Sequence, residues 1–197
     1  MPASATFGCM PRRQLTHRAP VGAALAFAVA LAGCAASPEP EPTPTKTAAA
    51  PIFASDEEAL AAAEEAFHRY LEVGDQIANE GGVEPERLRG VASGREEAET
   101  LDFFERLRKN GTRLEGKTAF DSMKFQELYQ ADGIVKVSVY FCMDVSGTKL
   151  ISAAGEDITQ QDRKLRVART AVLVGQEADS SRLLVDETEK WPGDDFC

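Results

Sequence analysis

The chain has 197 residues, 43% of them apolar, and carries 32 acidic against 22 basic side chains for a net charge of −10. A surface this acidic repels phosphate backbones and anionic lipid heads, so nucleic acid is excluded as a partner class.

The first segment in chain order is an export signal by its charge pattern. Arg12, Arg13, His17 and Arg18 form a basic start with no acid, and the twelve residues 21–32, VGAALAFAVALA, carry no charge. Crossing a bilayer takes about 17–25 apolar residues. This run is too short for that and fits the roughly 7–15-residue apolar region of a secretory signal. Leu31-Ala32-Gly33-Cys34 then resembles the lipobox of bacterial lipoproteins. The resemblance implies a signal peptide over residues 1–33 and a Cys34 that becomes the lipidated N-terminus, its fatty-acyl chains (palmitate-type) holding the protein on the extracytoplasmic face of the cell membrane. The alternative is a buried apolar helix with an ordinary core cysteine, which leaves the order of basic start, short apolar run and lipobox unexplained. General and twin-arginine export both fit these residues, as do starts at Met1 and at Met10.

After Cys34, Pro38, Pro40, Pro42 and Pro44 fall at every second residue. That spacing forbids helix and sheet and favours extended polyproline II. Residues 34–51 thus read as a lipidated cysteine and a tether, which reaches on the order of 50 Å at about 3.1 Å per residue. Without residues 1–33 the 22 basic side chains fall to 19 against 32 acids, a net charge of −13.

Residues 52–197 read as one domain, long enough to bury about two-thirds of its unfolded surface. A helix is predicted from Ser55, where Ser55 and Glu58 make a capping box. Leu60, Ala63, Phe67, Tyr70, Leu71 and Gly74 mark its buried face, and Gly81-Gly82 stops it. A short helical turn follows at residues 85–91. A second capping box, Ser93 with Glu96, opens another helix with Ala98, Leu101, Phe104 and Leu107 as its stripe. Acids in its first turns and Arg106, Arg108 and Lys109 in its last complement the helix dipole.

From residue 112 the apolar period becomes two, predicting strands at 118–130, 134–145, 148–152, 163–174 and 181–190, with Asp132-Gly133 as a hairpin turn. In 134–145, Val135, Val137, Val139, Phe141, Met143 and Val145 share one face. Ile134, Lys136, Ser138, Tyr140, Cys142 and Asp144 share the other. Helices followed by antiparallel strands predict an α+β domain with helices packed on one sheet face. With Cys34 lipidated, Cys142 and Cys197 remain, and such a pair in an exported protein forms a disulfide. A metal site would lack ligands, since His68 is the only histidine after residue 33. No metal or cofactor is expected.

Paired helices ahead of an antiparallel sheet in a domain of this size resemble the nuclear transport factor 2-like cone fold. More narrowly, VYFCMDVSG at residues 139–147, a later arginine-bearing strand, Trp191 and Cys197 resemble small exported lipoproteins of high-GC Gram-positive bacteria. The resemblance spans about residues 52–197 and implies a curved sheet with a cavity. No catalytic motif of the fold matches this chain.

Candidate chemistry is sparse. His68 is the one imidazole available as a base, on a helix flank. Tyr140 and Asp144 share a strand face four residues apart. They line the cone interior or lie on a wet sheet face. Arg163, Lys164, Arg166 and Arg169 form a basic cluster that either grips an anion or is solvated. Trp191 caps a pocket or fills core. Phosphate-cradling loops, zinc spacings and serine-nucleophile elbows are missing from the sequence. Two functions fit: a non-catalytic domain binding a small apolar ligand or an envelope protein, and a small isomerase, cyclase or dehydratase. The lack of a recognisable acid–base set favours the first.

Overall fold

In the computed structural model the described residues are 51–131, 133–176 and 179–197. The predicted signal peptide over residues 1–33, the predicted lipidation site Cys34 and the predicted proline-rich tether lie outside them. Two helices come first: α1, Asp56–Asn79, and α2, Gly94–Asn110, with a 3-10 helix at Pro85–Gly90 between them. Six strands follow: β1 (Arg113–Gly116), β2 (Ala119–Ala131), β3 (Ile134–Asp144), β4 (Thr148–Ile151), β5 (Arg166–Gln176) and β6 (Asp179–Lys190). The main sheet is antiparallel throughout in the order β2-β3-β5-β6, and β1 pairs with β4 in a separate two-stranded ribbon. This is the α+β arrangement that the residue pattern predicts.

α1 starts as expected. The Ser55 hydroxyl accepts from the Glu58 backbone N–H at 3.2 Å, and Glu58 reaches back to the Ala54 N–H at 2.8 Å. Its buried face is richer in alanine than the predicted stripe: Ala59, Ala63 and Ala66 lie beside Phe67, Tyr70, Ile77 and Ala78. At its end the Gly82 N–H bonds to the Ile77 carbonyl at 2.8 Å. Gly82 has φ +84°, and a Cβ there would stand 2.3 Å from the Phe104 carbonyl oxygen, so only glycine lets α1 end against α2.

α2 departs from expectation in its first turn. The Ser93 hydroxyl makes no cap hydrogen bond to the helix. It donates instead to the Asp186 carboxylate on β6 at 2.9 Å. The Ser93 N–H and the Val91 carbonyl also bond to the backbone of Val185, at 2.9 and 3.0 Å. The helix entrance is thereby stitched to the sheet edge, which releases Glu96 from capping and turns it inward. Glu96 is buried, whereas Ala98, which the pattern puts in the stripe, is exposed.

The strand that organises the sheet is β3. Val135, Val137, Val139 and Phe141 are essentially inaccessible and form one core with α1. Phe67 sits at its centre, 4.5 Å from the Phe141 ring centroid and 5.1 Å from that of Phe120. Ala131 pairs with Ile134 across the predicted hairpin. The opposite face of β3 carries Cys142, bonded to Cys197 with the two Cα atoms 5.7 Å apart. The bridge folds the C-terminal segment onto this outer face, where Trp191 and Phe196 enclose Tyr140 at centroid distances of 5.3 and 5.4 Å.

The bridge closes a separation of 55 residues, which corresponds to about 4 kcal/mol of stabilisation through the restricted unfolded chain. Replacing both cysteines by serine should lower the unfolding free energy in urea by roughly that amount. It should also shift Trp191 emission to the red as the tail leaves the sheet. An unchanged urea midpoint would refute this.

Candidate functional site

Between α1, α2 and the inner face of the sheet lies a cleft of about 510 Å³. Small-molecule sites typically measure about 300–1,000 Å³. Its apolar walls are Leu71 of α1, Phe103 and Phe104 of α2, Leu114 of β1, Met143 and Val167 from the sheet, and Val145 just past the end of β3. At the rim the exposed Arg106 guanidinium lies 6.0 Å from the Phe103 ring centroid. This end of the cleft is greasy.

The other end is polar and closed by one network. Tyr70 of α1 donates its hydroxyl to Glu96 of α2. Thr188 of β6 donates to the second Glu96 oxygen at 2.8 Å. Thr100, one helical turn on from Glu96, lies 3.1 Å from the Tyr70 hydroxyl. Arg169 of β5 donates from Nη2 to the Thr188 oxygen at 3.0 Å. A buried carboxylate is costly unless hydrogen bonded, and Glu96 meets that condition with partners from two other elements.

The network controls protonation at Tyr70. Burial first, then the adjacent Glu96 charge, raises its phenol well above the usual tyrosine value. It stays a neutral donor. Asp75, also on the cleft wall, is raised by burial although the Thr118 N–H and hydroxyl both donate to it, at 2.8 and 3.0 Å.

The residues singled out from sequence fall elsewhere. Tyr140 and Asp144 do share a strand face, but it is the outer one, and neither lines the cleft. Strand alternation puts them opposite Phe141 and Met143, which take the inward positions. Asp144 accepts from the Ser146 N–H at 2.8 Å, and its carboxyl is held below the usual range by Ser146. His68 is exposed on the flank of α1, its ring 4.5 Å from that of Phe120. Trp191 packs on Tyr140 and Phe196 and does not line this cleft.

The basic cluster is dispersed as well. Arg163 lies before β5 and binds the Val145 carbonyl at 3.0 Å and the Thr148 hydroxyl at 3.2 Å. Lys164 pairs with Asp195, and Arg166 bonds to Asp121 and to the Cys197 carbonyl, so both hold the tail region. Arg169 alone reaches the cleft. Its signal was in the strand pattern: Val167, Arg169, Ala171 and Leu173 alternate onto one face, and an arginine there stands on the apolar side. Glu96 was masked by a capping-box motif that its own first turn does not use. Among the described residues, no three of the His, Cys, Asp and Glu side chains gather as a metal site requires.

No protein-family model and no curated protein sequence matches the chain. Among solved structures the domain is similar to the intermembrane-space region of the chloroplast protein ARC6, at 10% identity and a TM-score of 0.48. The match covers 66% of this chain and 95% of that one.

The raised Tyr70 phenol has a pH consequence. The unfolded chain releases this proton near pH 10, whereas the folded protein keeps it, so the contribution is fully present below about pH 10 and is lost as pH rises further. Tyr70→Phe should destabilise the protein by about 1–3 kcal/mol at neutral pH, because Glu96 loses a partner. It should also flatten the alkaline fall in stability relative to wild type. Denaturant titrations between pH 7 and 11 check both. Parallel alkaline limbs in the two proteins would contradict the assignment.

Proposed function

We propose that this is an exported, lipid-anchored domain that binds a small apolar molecule in the cleft between its helices and its sheet, without transforming it. The carrying observation is the cleft itself: one apolar end, one polar end, and a polar end whose carboxylate is already occupied. General acid–base catalysis needs a proton carrier poised near the working pH. Tyr70 is pushed away from that range, the Glu96 oxygens accept from Tyr70 and Thr188, and Asp75, although raised by burial, has both oxygens engaged by Thr118. The isomerase, cyclase or dehydratase reading drew on Tyr140 and Asp144, which lie on the other side of the sheet.

Three features support the address and the fold family. The lipobox at Cys34 follows a basic start and a short apolar run. Disulfides persist in oxidising compartments outside the cytoplasm, which is where the Cys142–Cys197 bridge points. Helices over one face of an antiparallel sheet with a cleft between them support the nuclear transport factor 2-like reading.

Nile red, an uncharged dye that fluoresces in apolar sites, tests the cleft. Wild type should enhance its emission, and Val167→Phe, which fills the cleft from β5, should weaken binding about tenfold or more. No enhancement, or equal enhancement by the variant, would overturn the ligand-binding reading. For the anchor, Cys34→Ala should move the protein from the detergent phase to the aqueous phase or leave it unprocessed. A processed, unlipidated chain retained in the membrane would exclude Cys34 as the anchor.

A further inference from the structure

One carboxylate on the cleft wall has no cation of its own. Asp75 of α1 is part-exposed and borders both the cleft and a groove of about 330 Å³ on the helix flank. Its two oxygens accept from the Thr118 hydroxyl and N–H, at 3.0 and 2.8 Å, and each keeps a lone pair for another donor. Both Thr118 donors are neutral. Lys117 is near enough to favour the ionised form, but it is exposed and makes no ion pair with Asp75 among the described residues. The other cleft carboxylates are better balanced. Glu96 faces Arg169 across the Thr188 hydroxyl, and Glu99 lies 4.0 Å from Arg95.

A gap adjoins Asp75. Gly74 sits inside α1 and is not among the positive-φ residues, so the backbone does not call for glycine there. Glycine inside a helix lowers stability relative to alanine. No neighbour demands it either, since a Cβ at Gly74 would meet nothing within 4 Å. What the glycine does is leave room beside Asp75 on the cleft side: it lines the cleft and not the flank groove. A molecule filling that room strips water from Asp75, and a desolvated carboxylate without a cation is costly. An anion would add repulsion, and an uncharged body would leave the cost uncompensated. A cation offsets it, and the net charge of −10 draws cations in.

We propose, resting on the ligand-binding reading above, that the cleft takes an apolar molecule bearing one protonated amine, which occupies the room at Gly74 and pairs with the Asp75 carboxylate while the apolar body lies along Leu71, Phe103, Met143 and Val167. Primary and secondary amines share this chemistry.

Three compounds with one skeleton separate the cases by displacement of Nile red: 4-phenylbutylamine is a cation, 4-phenylbutanol is neutral and 4-phenylbutanoate is an anion. The amine should displace the dye about tenfold more effectively than either of the others. Asp75→Asn, which keeps an acceptor for Thr118, should bring amine and alcohol level. Glu72→Gln removes an exposed charge from the same helix and should leave the amine preference unchanged. Gly74→Leu keeps Asp75 but fills the room, and should weaken binding of the amine about tenfold. Equal or stronger displacement by the alcohol or by the anion overturns the amine assignment and leaves the binding reading standing. An amine preference that survives in Asp75→Asn, or is lost in Glu72→Gln, overturns the role of Asp75. Undiminished amine binding by Gly74→Leu places the amine outside the cleft and overturns the proposal. Failure of wild type to bind Nile red at all is the distinct failure of the ligand-binding reading.

Discussion

A carboxylate buried between a helix and a sheet must be hydrogen bonded, and the placement of Glu96 organises much of this domain around that requirement. Its partners come from α1 through Tyr70 and from β6 through Thr188. Arg169 of β5 joins through Thr188. Four elements far apart in sequence thus meet at one polar point at the end of an apolar cleft. Non-directional apolar contacts alone would let α2 slide along the sheet. The hydrogen bonds to Glu96, together with those tying Ser93 and Val91 to β6, define its position.

The sheet works on both faces, and β3 shows why. Its inward residues, Val135 to Phe141, are sealed beneath α1 around the Phe67 ring. Its outward residues would otherwise be wet, as is common for one face of an antiparallel sheet. Here the tail covers part of that face, fastened by Cys142–Cys197 and by Arg166 bonding to the Cys197 carbonyl. The aromatic trio of Tyr140, Trp191 and Phe196 is the packing that results. Phe196 remains 43% exposed, so the cover is thin and the covalent bond carries much of its attachment.

The division of labour among the arginines follows from position. Arg163 binds the carbonyls that shape the turn after β3, and Arg166 faces outward to Asp121 and the tail. Arg169 is an odd number of residues from Arg166 and therefore points to the other face, into the cleft. Similar residues within a few positions do three different jobs because strand alternation and the start of β5 send them to different surroundings.

The sequence alone determined whatever depends on local periodicity. The 3.6-residue spacing of apolar side chains and the Ser55–Glu58 box defined α1. The period of two and the Asp132-Gly133 turn defined β2 and β3, and the count of cysteines defined the bridge. These are short-range rules, legible without knowing what packs where. The short strand β1 was missed because four residues carry too little pattern, and its pairing with β4 is non-local. The cleft was also invisible. Tyr70 read as core, Glu96 as a cap and Arg169 as one of a cluster, while Tyr140 and Asp144 looked more promising on the wrong side of the sheet. Periodicity says which residues share a face, but only tertiary packing decides which face the helices cover. The Ser93 N–H, which a capping box would give to Glu96, bonds instead to the Val185 carbonyl, and Glu96 turns inward to meet partners from elements up to 92 residues away.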